Sequence, residues 1–235
     1  MIDVSELDTL RFGMPSARAD NITVDDMPAL DEFCKKHGIK FLIARCSAAR
    51  LDVAQALEER GCRLMDTLLW FQFRFDKTPL VPRDTHVIRE IRPGEEIAVQ
   101  DISREAFRNY EGGHYHSDPR IDRAVCAEIY ADWAHKSCLS KKVADHVLVS
   151  ESGGEVTGFI TIKKNGDLPL AVVRPDAQKQ GLYTALVTTA LKFVKDTGVE
   201  RGRVSTQLSN VAVQKACQRI GLEPLEAAYT FHKWF

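Results

Sequence analysis

The chain has no Cys-x-x-Cys pair, no long apolar run and no excess of either charge, and each absence removes a class of function. Its six cysteines, Cys34, Cys46, Cys62, Cys126, Cys138 and Cys217, are scattered. Without paired spacing they read as reduced, mostly buried thiols of a cytoplasmic protein, and not as a disulfide framework or a zinc site. No apolar stretch approaches the roughly 18 residues of a membrane-spanning helix. The opening residues Met1–Asp8 are acidic and lack a basic start ahead of an apolar core, so they do not read as a secretion signal. A formal net charge of -1 gives no electrostatic case for nucleic acid or a membrane surface as a partner. His114 and His116 with Asp118 come nearest to a metal cluster. Two histidines at i, i+2 without further ligands at metal spacing are a weak signal, and no metal is expected.

What the sequence does have is periodicity. Its 235 residues suffice for one large domain or two small ones, each with a core. A helix is expected from the capping Thr23 to Gly38, with Leu30 and Phe33 on one face. A strand over Ile39–Arg45, a helix over Asp52–Arg60 stopped by Gly61 and a strand over Leu68–Phe75 follow. Pro79 and Pro82 then break any period, which predicts an N-terminal α/β unit over 1–78, a linker over 79–85 and a second unit over 86–235. The two units are free to share a sheet.

The second unit opens with a strand over His86–Ile91 and a helix to about Phe107, with Ile97, Ala98 and Ile102 on its inner face. Asn109–Arg120 reads as a loop because Gly112, Gly113 and Pro119 interrupt it. A helix over Ile121–Cys138 carries Val125, Ile129 and Trp133 at four-residue spacing. Three strands joined by Gly153-Gly154 and Asn165-Gly166 turns cover His146–Ser150, Glu155–Lys163 and Leu168–Val173. A helix to Gly198, a strand over Arg203–Leu208, a helix from Asn210 to Ile220 and a strand over Ala227–Phe235 complete the chain. The expected fold class is α/β (α+β): a mixed, mostly antiparallel central sheet with flanking helices, in which the last crossings run parallel.

The stretch Leu170–Val187 organises this unit. An apolar run breaks at Pro175, passes through a polar loop with one glycine, Gly181, and enters a helix. The free N–H groups of a helix's first turn, with its dipole, favour an anion, and a side chain at Gly181 would crowd a ligand on that backbone. Taken alone, the same stretch also fits an ordinary strand-to-helix connection.

With the element order added, residues 86–235 resemble the GNAT N-acetyltransferases. The family's coenzyme-A loop, Gln/Arg-x-x-Gly-x-Gly/Ala after Val-x-Pro, matches Val173-Arg-Pro175 and Gln178-Lys-Gln-Gly181-Leu-Tyr183, with Tyr183 where Gly or Ala is usual. The family's asparagine on the next turn matches Asn210. A closer likeness is to the sugar-nucleotide amine acetyltransferases of the dTDP-fucosamine type. Their loop appears here as Gly113-His-Tyr-His-Ser-Asp-Pro-Arg120, and Tyr130-Ala-Asp-Trp133 also matches. Their N-terminal part looks like half of an acetyltransferase fold, which is expected here for residues 1–78.

The resemblance implies acetyl-coenzyme A as co-substrate and a small amine as acceptor, with an amino sugar on a nucleotide the acceptor expected. It places the pantetheine and acetyl carbonyl along the backbone of Ala171, Val172 and Val173. The diphosphate falls on the N–H groups of Gln178, Lys179, Gln180, Gly181, Leu182 and Tyr183. Acceptor contacts are expected from His114, Tyr115, Asp118, Tyr130 and Trp133. His116 is the expected base, its near-neutral ring suiting a proton taken from an ammonium. The family's tyrosine that protonates the leaving thiolate falls on Cys217. With Cys217 and Tyr183 at these two positions, a degenerate fold that binds acyl-coenzyme A without turnover is the alternative. A homodimer is compatible with this reading.

Overall fold

The structure is a computed structural model and describes residues 1–81 and 86–235. Residues 82–85 of the expected linker lie outside the described residues. The chain begins β1 (Ile2–Val4), α1 (Glu6–Phe12), β2 (Ser16–Asp20), α2 (Met27–Lys36), β3 (Phe41–Ser47), α3 (Leu51–Glu59) and β4 (Arg63–Arg74). It continues β5 (Val87–Glu90), α4 (Glu96–Arg108), α5 (His114–Ser117), α6 (Arg123–Leu139), β6 (His146–Ser152) and β7 (Glu155–Ile162). The last elements are β8 (Asp167–Leu168), β9 (Ala171–Val173), α7 (Leu182–Asp196), β10 (Arg201–Gln207), α8 (Val211–Ile220) and β11 (Glu223–Trp234).

The strands form a seven-stranded sheet, β1-β2-β3-β11-β4-β10-β8, and a four-stranded sheet, β5-β6-β7-β9. Pairing is mostly antiparallel; β2 with β3 and β10 with β8 are the parallel pairs. The N-terminal strands and the C-terminal crossings therefore share one sheet. β11 sits between β3 and β4, antiparallel to both, so the strand at the far end of the sequence closes the unit that began it.

Each helix presents its apolar stripe to a sheet. Met27, Leu30 and Cys34 of α2 and Val53, Ala56 and Leu57 of α3 pack with Leu42, Ala44 and Phe231 in one core. Leu182, Leu186, Ala190, Leu191 and Val194 of α7 fill a second core with Phe71, Ile160 and Val204. Val99 and Ile102 of α4, with Tyr130 and Ala134 of α6, cover the other face of the four-stranded sheet against Val149 and Phe159. Among the described residues no helix is long and apolar enough to cross a membrane.

Two differences from the sequence reading matter. The expected Asn109–Arg120 loop carries a one-turn helix, α5, and the expected strand over Leu168–Val173 is broken. Pro169 has no N–H to give to a ladder. Asp167 and Leu168 pair parallel with Arg203 and Val204 of β10, whereas Ala171–Val173 pair antiparallel with β7. Thr161 bridges the break: its N–H reaches the Leu170 carbonyl at 2.8 Å and its hydroxyl takes the Leu170 N–H at 3.0 Å. One run of chain thus serves two sheets, which part at Pro169.

Because β11 joins the two halves, its core contacts support both. Phe231 is 1% exposed. Phe231→Ala is expected to cost about 3–5 kcal/mol in urea unfolding, with loss registered as one transition for the whole chain and not for its N-terminal half alone.

Candidate active site

A cavity of about 1570 Å³ occupies the opening between the parted strands. Leu168–Val173 form one wall and Val204–Gln207 the other. Residues of α4 to α8 and their loops complete the walls, and its two ends differ in chemistry.

One end lies under α7. Gly181 caps this helix with φ 82, a left-handed conformation that L side chains disfavour. A Cβ built on Gly181 would meet no protein atom within 4 Å, so the space over it is open to a ligand. Lys179 is also left-handed (φ 64), giving the loop a curl of the kind that gathers N–H groups around an anion. The helical ladder starts with Ala185, which donates to the Gly181 carbonyl at 3.1 Å. The N–H groups of Leu182, Tyr183 and Thr184 precede it and are left for another acceptor. Gln178, Lys179, Gly181, Leu182 and Tyr183 line the cavity. Gln180 does not: it is exposed, and its carbonyl takes a hydrogen bond from His86 Nε2 at 3.1 Å. Asn210 lines the cavity and caps α8, its side-chain oxygen accepting the Val213 N–H at 3.2 Å. Tyr110 reaches across from the α4–α5 loop, donating to Gln207 Oε1 at 2.5 Å and accepting from Asn210 Nδ2 at 3.4 Å.

The other end is built by α5 lying on the N-terminal part of the large sheet. The turn into α5 requires glycine at 113, where φ is 91 and a Cβ would come within 3.0 Å of the Tyr130 hydroxyl. Two buried carboxylates pin the helix. Asp8 Oδ1 accepts from the Tyr115 hydroxyl at 2.9 Å, and Asp8 Oδ2 accepts from Arg18 Nε at 2.7 Å. Asp118 Oδ2 accepts from His232 Nδ1 and from Trp234 Nε1, each at 2.8 Å, and its Oδ1 takes the Arg120 N–H at 3.0 Å. Burial alone would raise the Asp118 carboxyl, but these donors outweigh it and hold it at about 2. His232 in turn meets His114, with His232 Nε2 and His114 Nδ1 2.8 Å apart. Burial, followed by the nearby His232, Arg45 and Arg18, pushes His114 well below the usual histidine range, so it is neutral at pH 7.

Charged groups of both signs face this end. Arg18 and Arg45 line it from β2 and β3, Arg45 Nε donating to Thr230 Oγ1 at 3.2 Å. Asp66 of β4 also lines it; its Oδ1 is buried and has no hydrogen-bond partner among the described residues. Burial raises the Asp66 carboxyl above the ordinary aspartate range. Tyr130 and Trp133 complete the wall, Tyr130 stacked on Phe107 at 3.8 Å between ring centres.

The expected residues therefore divide. His114, Tyr115, Tyr130 and Trp133 reach the cavity; Asp118 stands behind it, joined to it through His232. His116 is not on the wall. Its Nε2 is spent on the Phe107 carbonyl at 3.0 Å and its Nδ1 is buried with no partner among the described residues, so the base expected there stands off the cavity. Helical geometry explains this: residues two apart on a turn point in different directions. Cys217 also misses the cavity. It is fully buried, and its thiol, pushed up to about 11 by burial, lies against the Tyr183 hydroxyl. The two departures from the family pattern are thus one contact, a small residue on α8 making room for a large one on α7. Asp66, Tyr110, Arg18, Arg45 and His232 were not singled out from the sequence. For His232 a signal existed, since period-2 alternation sets Thr230, His232 and Trp234 on one face of β11.

A sheet forced open beside two parallel strands, with a helix N-terminus aimed at the opening, is the architecture of an N-acyltransferase. Comparison with known proteins makes this particular. The model of the acetyltransferase (GNAT) family matches residues 99–222, more than half of the chain, and the chain belongs to that family. The spore coat polysaccharide biosynthesis protein SpsD of Bacillus subtilis (strain 168) is 23% identical over 163 residues, covering 68% of this chain and 53% of SpsD. The chain thus spans about half the length of that curated relative. Among solved structures, a GCN5-related N-acetyltransferase from Sphaerobacter thermophilus matches with a TM-score of 0.70 at 14% identity, over 99% of this chain and 76% of that one. One from Kribbella flavida matches at 0.60 and 11% identity, over 93% and 81%. A tandem GNAT protein from the clavulanic acid biosynthesis pathway matches at 0.56 and 14%, over 94% and 76%. The likeness to these structures is one of fold.

Burial raises every cysteine thiol, Cys62 and Cys126 to about 11 and Cys138 to about 12, and the thiolate is the reactive form. Native protein at pH 7.5 is therefore expected to release almost no thionitrobenzoate from Ellman's reagent within minutes. Denatured protein should release six equivalents, matching its six cysteines. A fast native equivalent that disappears in Cys217→Ser would return Cys217 to the list of accessible groups.

Proposed function

We propose that this protein transfers the acetyl group of acetyl-coenzyme A to the amine of an amino sugar carried on a nucleotide. The observation that carries the reading is the opening between β9 and β10 beneath the N-terminus of α7. The residues present fit coenzyme A. Leu182, Tyr183 and Thr184, at the start of α7, have backbone N–H groups free for a diphosphate. The edge of β9 turned away from β7 has no strand partner among the described residues. Its N–H and C=O groups suit the amides of a pantetheine arm, which would add to the sheet as a strand does.

At the acceptor end, the Asp66 carboxyl lines the cavity and suits an ammonium. Arg18 and Arg45 suit the phosphates of a nucleotide carrier, and Trp133 suits the apolar face of a sugar ring, backed by Tyr130, which is itself stacked on Phe107. The relative SpsD, a polysaccharide biosynthesis protein by name, is consistent with an amino-sugar acceptor.

A second reading, binding of acyl-coenzyme A without turnover, draws on the absence of a tyrosine at 217 and the burial of Cys217 against Tyr183. Turnover separates the two. Incubation with acetyl-coenzyme A and a panel of amines that includes amino-sugar nucleotides is expected to release free thiol. Saturable binding with no release from any amine would favour the second reading.

Two variants locate the two ends. Gly181→Ala puts a Cβ into the open space at a left-handed residue, which strains the backbone by about 1–2 kcal/mol. Acetyl-coenzyme A binding by calorimetry is expected to weaken about tenfold or more, and unchanged affinity would remove the loop from the site. Asp66→Asn is expected to raise the KM for the amine about tenfold while leaving affinity for acetyl-coenzyme A intact. An effect on acetyl-coenzyme A alone would move Asp66 out of the acceptor end.

A further inference from the structure

We propose that His114 is the catalytic base and that the proton it takes comes to rest on His232, which Asp118 holds beside it. This rests on the amine-acetylation reading and adds a proton path that neither the family match nor any relative supplies.

The hydrogen bonds fix the starting tautomers. A carboxylate can only accept, so Asp118 Oδ2, 2.8 Å from His232 Nδ1, places that ring's proton on Nδ1. His232 Nε2 then carries a lone pair and takes the Nδ1 proton of His114 across 2.8 Å. That leaves the lone pair of His114 on Nε2, on a residue that lines the cavity. The step balances. An N–H bond of the acceptor ammonium breaks and a bond forms at His114 Nε2. The His114 Nδ1–H bond breaks and a bond forms at His232 Nε2. The products are a neutral amine, a neutral His114 and an imidazolium at His232 facing the Asp118 carboxylate.

Surroundings explain why a relay is needed. His114 is faced by Arg18 from β2, Arg45 from β3, Asp66 from β4 and His232 from β11, with His116 and Tyr115 on its own helix. A positive charge kept on His114 would stand among two guanidiniums in a buried place. Moved one ring inward, it stands against a carboxylate that is itself 2% exposed. Asp66 faces the same space and attracts the ammonium without needing to accept its proton. His232 and Asp118 are positioning residues for the proton; of the three, only His114 lines the cavity.

The sign of the pH dependence follows. With the base in place, protonated amine is a usable form and the rate holds well below the amine's own pKa. Without it, only free amine reacts, and the rate climbs tenfold per pH unit toward that pKa. His114→Gln is expected to lose about 100-fold in kcat at pH 7, with KM for acetyl-coenzyme A unchanged and the steep pH profile just described. Imidazole should restore part of the rate to His114→Ala. His232→Gln and Asp118→Asn should each steepen the profile in the same direction with smaller losses. Nitrogen-15 NMR of labelled histidines reads the relay without turnover: His232 and His114 should both be protonated at Nδ1 at neutral pH, and Asp118→Asn should abolish this for His232. Turnover of His114→Gln within about threefold of the parent and an unchanged profile would overturn the relay. So would a His232 proton found on Nε2. If the parent turns over no amine while both tautomers are as expected, it is the acetylation reading that fails, and the base assignment with it.

Discussion

The proline at 169 decides more of this molecule than any other residue. A strand continuing through it would join β7 to β10 and close the sheet into a continuous surface with no room for a ligand. Pro169 withholds the N–H that the next rung needs, and Thr161 captures Leu170 on the β7 side with both backbone and hydroxyl. The sheet divides there, and the apolar core under α7 on one side and under α4 and α6 on the other keeps the halves apart. The opening is thus a consequence of pairing geometry, held by cores that would be disrupted if it closed.

The acceptor end depends on a different device. α5 has four residues, far too few to be stable alone. It stands because buried carboxylates hold it to the sheet, Asp8 through Tyr115 and Arg18, Asp118 through His232 and Trp234. Removing either carboxylate leaves these buried donors without an acceptor, at about 1–3 kcal/mol for each group. Tyr115 also packs with Phe41, Ile43 and Ile129, so apolar contact and charge hold the segment together.

How much could be read in advance follows the range of the interactions. α3, α4, α6, α7 and α8 announce themselves through local periodicity, caps and stops, and the turns into α7 and α8 through Gly181 and Asn210. β1, α1 and β2 are short and their patterning is weak. The break at Pro169 was present as a letter, but only its partners on β7 and β10 give it meaning. The acceptor end was the least legible part. Arg18, Arg45, Asp66 and His232 come from four strands whose order, β2-β3-β11-β4, does not follow the sequence. Within the motif that was legible, His114 and His116 could not be told apart until α5 fixed which of them faces inward.

The position of β11 also bears on how the chain is made. It follows every other strand in the sequence yet lies between two of the earliest, β3 and β4. During synthesis the N-terminal strands emerge with two facing edges that cannot pair with each other in their final arrangement. Their hydrogen-bonding groups stay open until the last strand arrives. Contacts so distant in sequence form slowly. His232 arrives on that same strand, so the nascent chain holds the loop ahead of α7 well before it can complete the pair of His114 and His232.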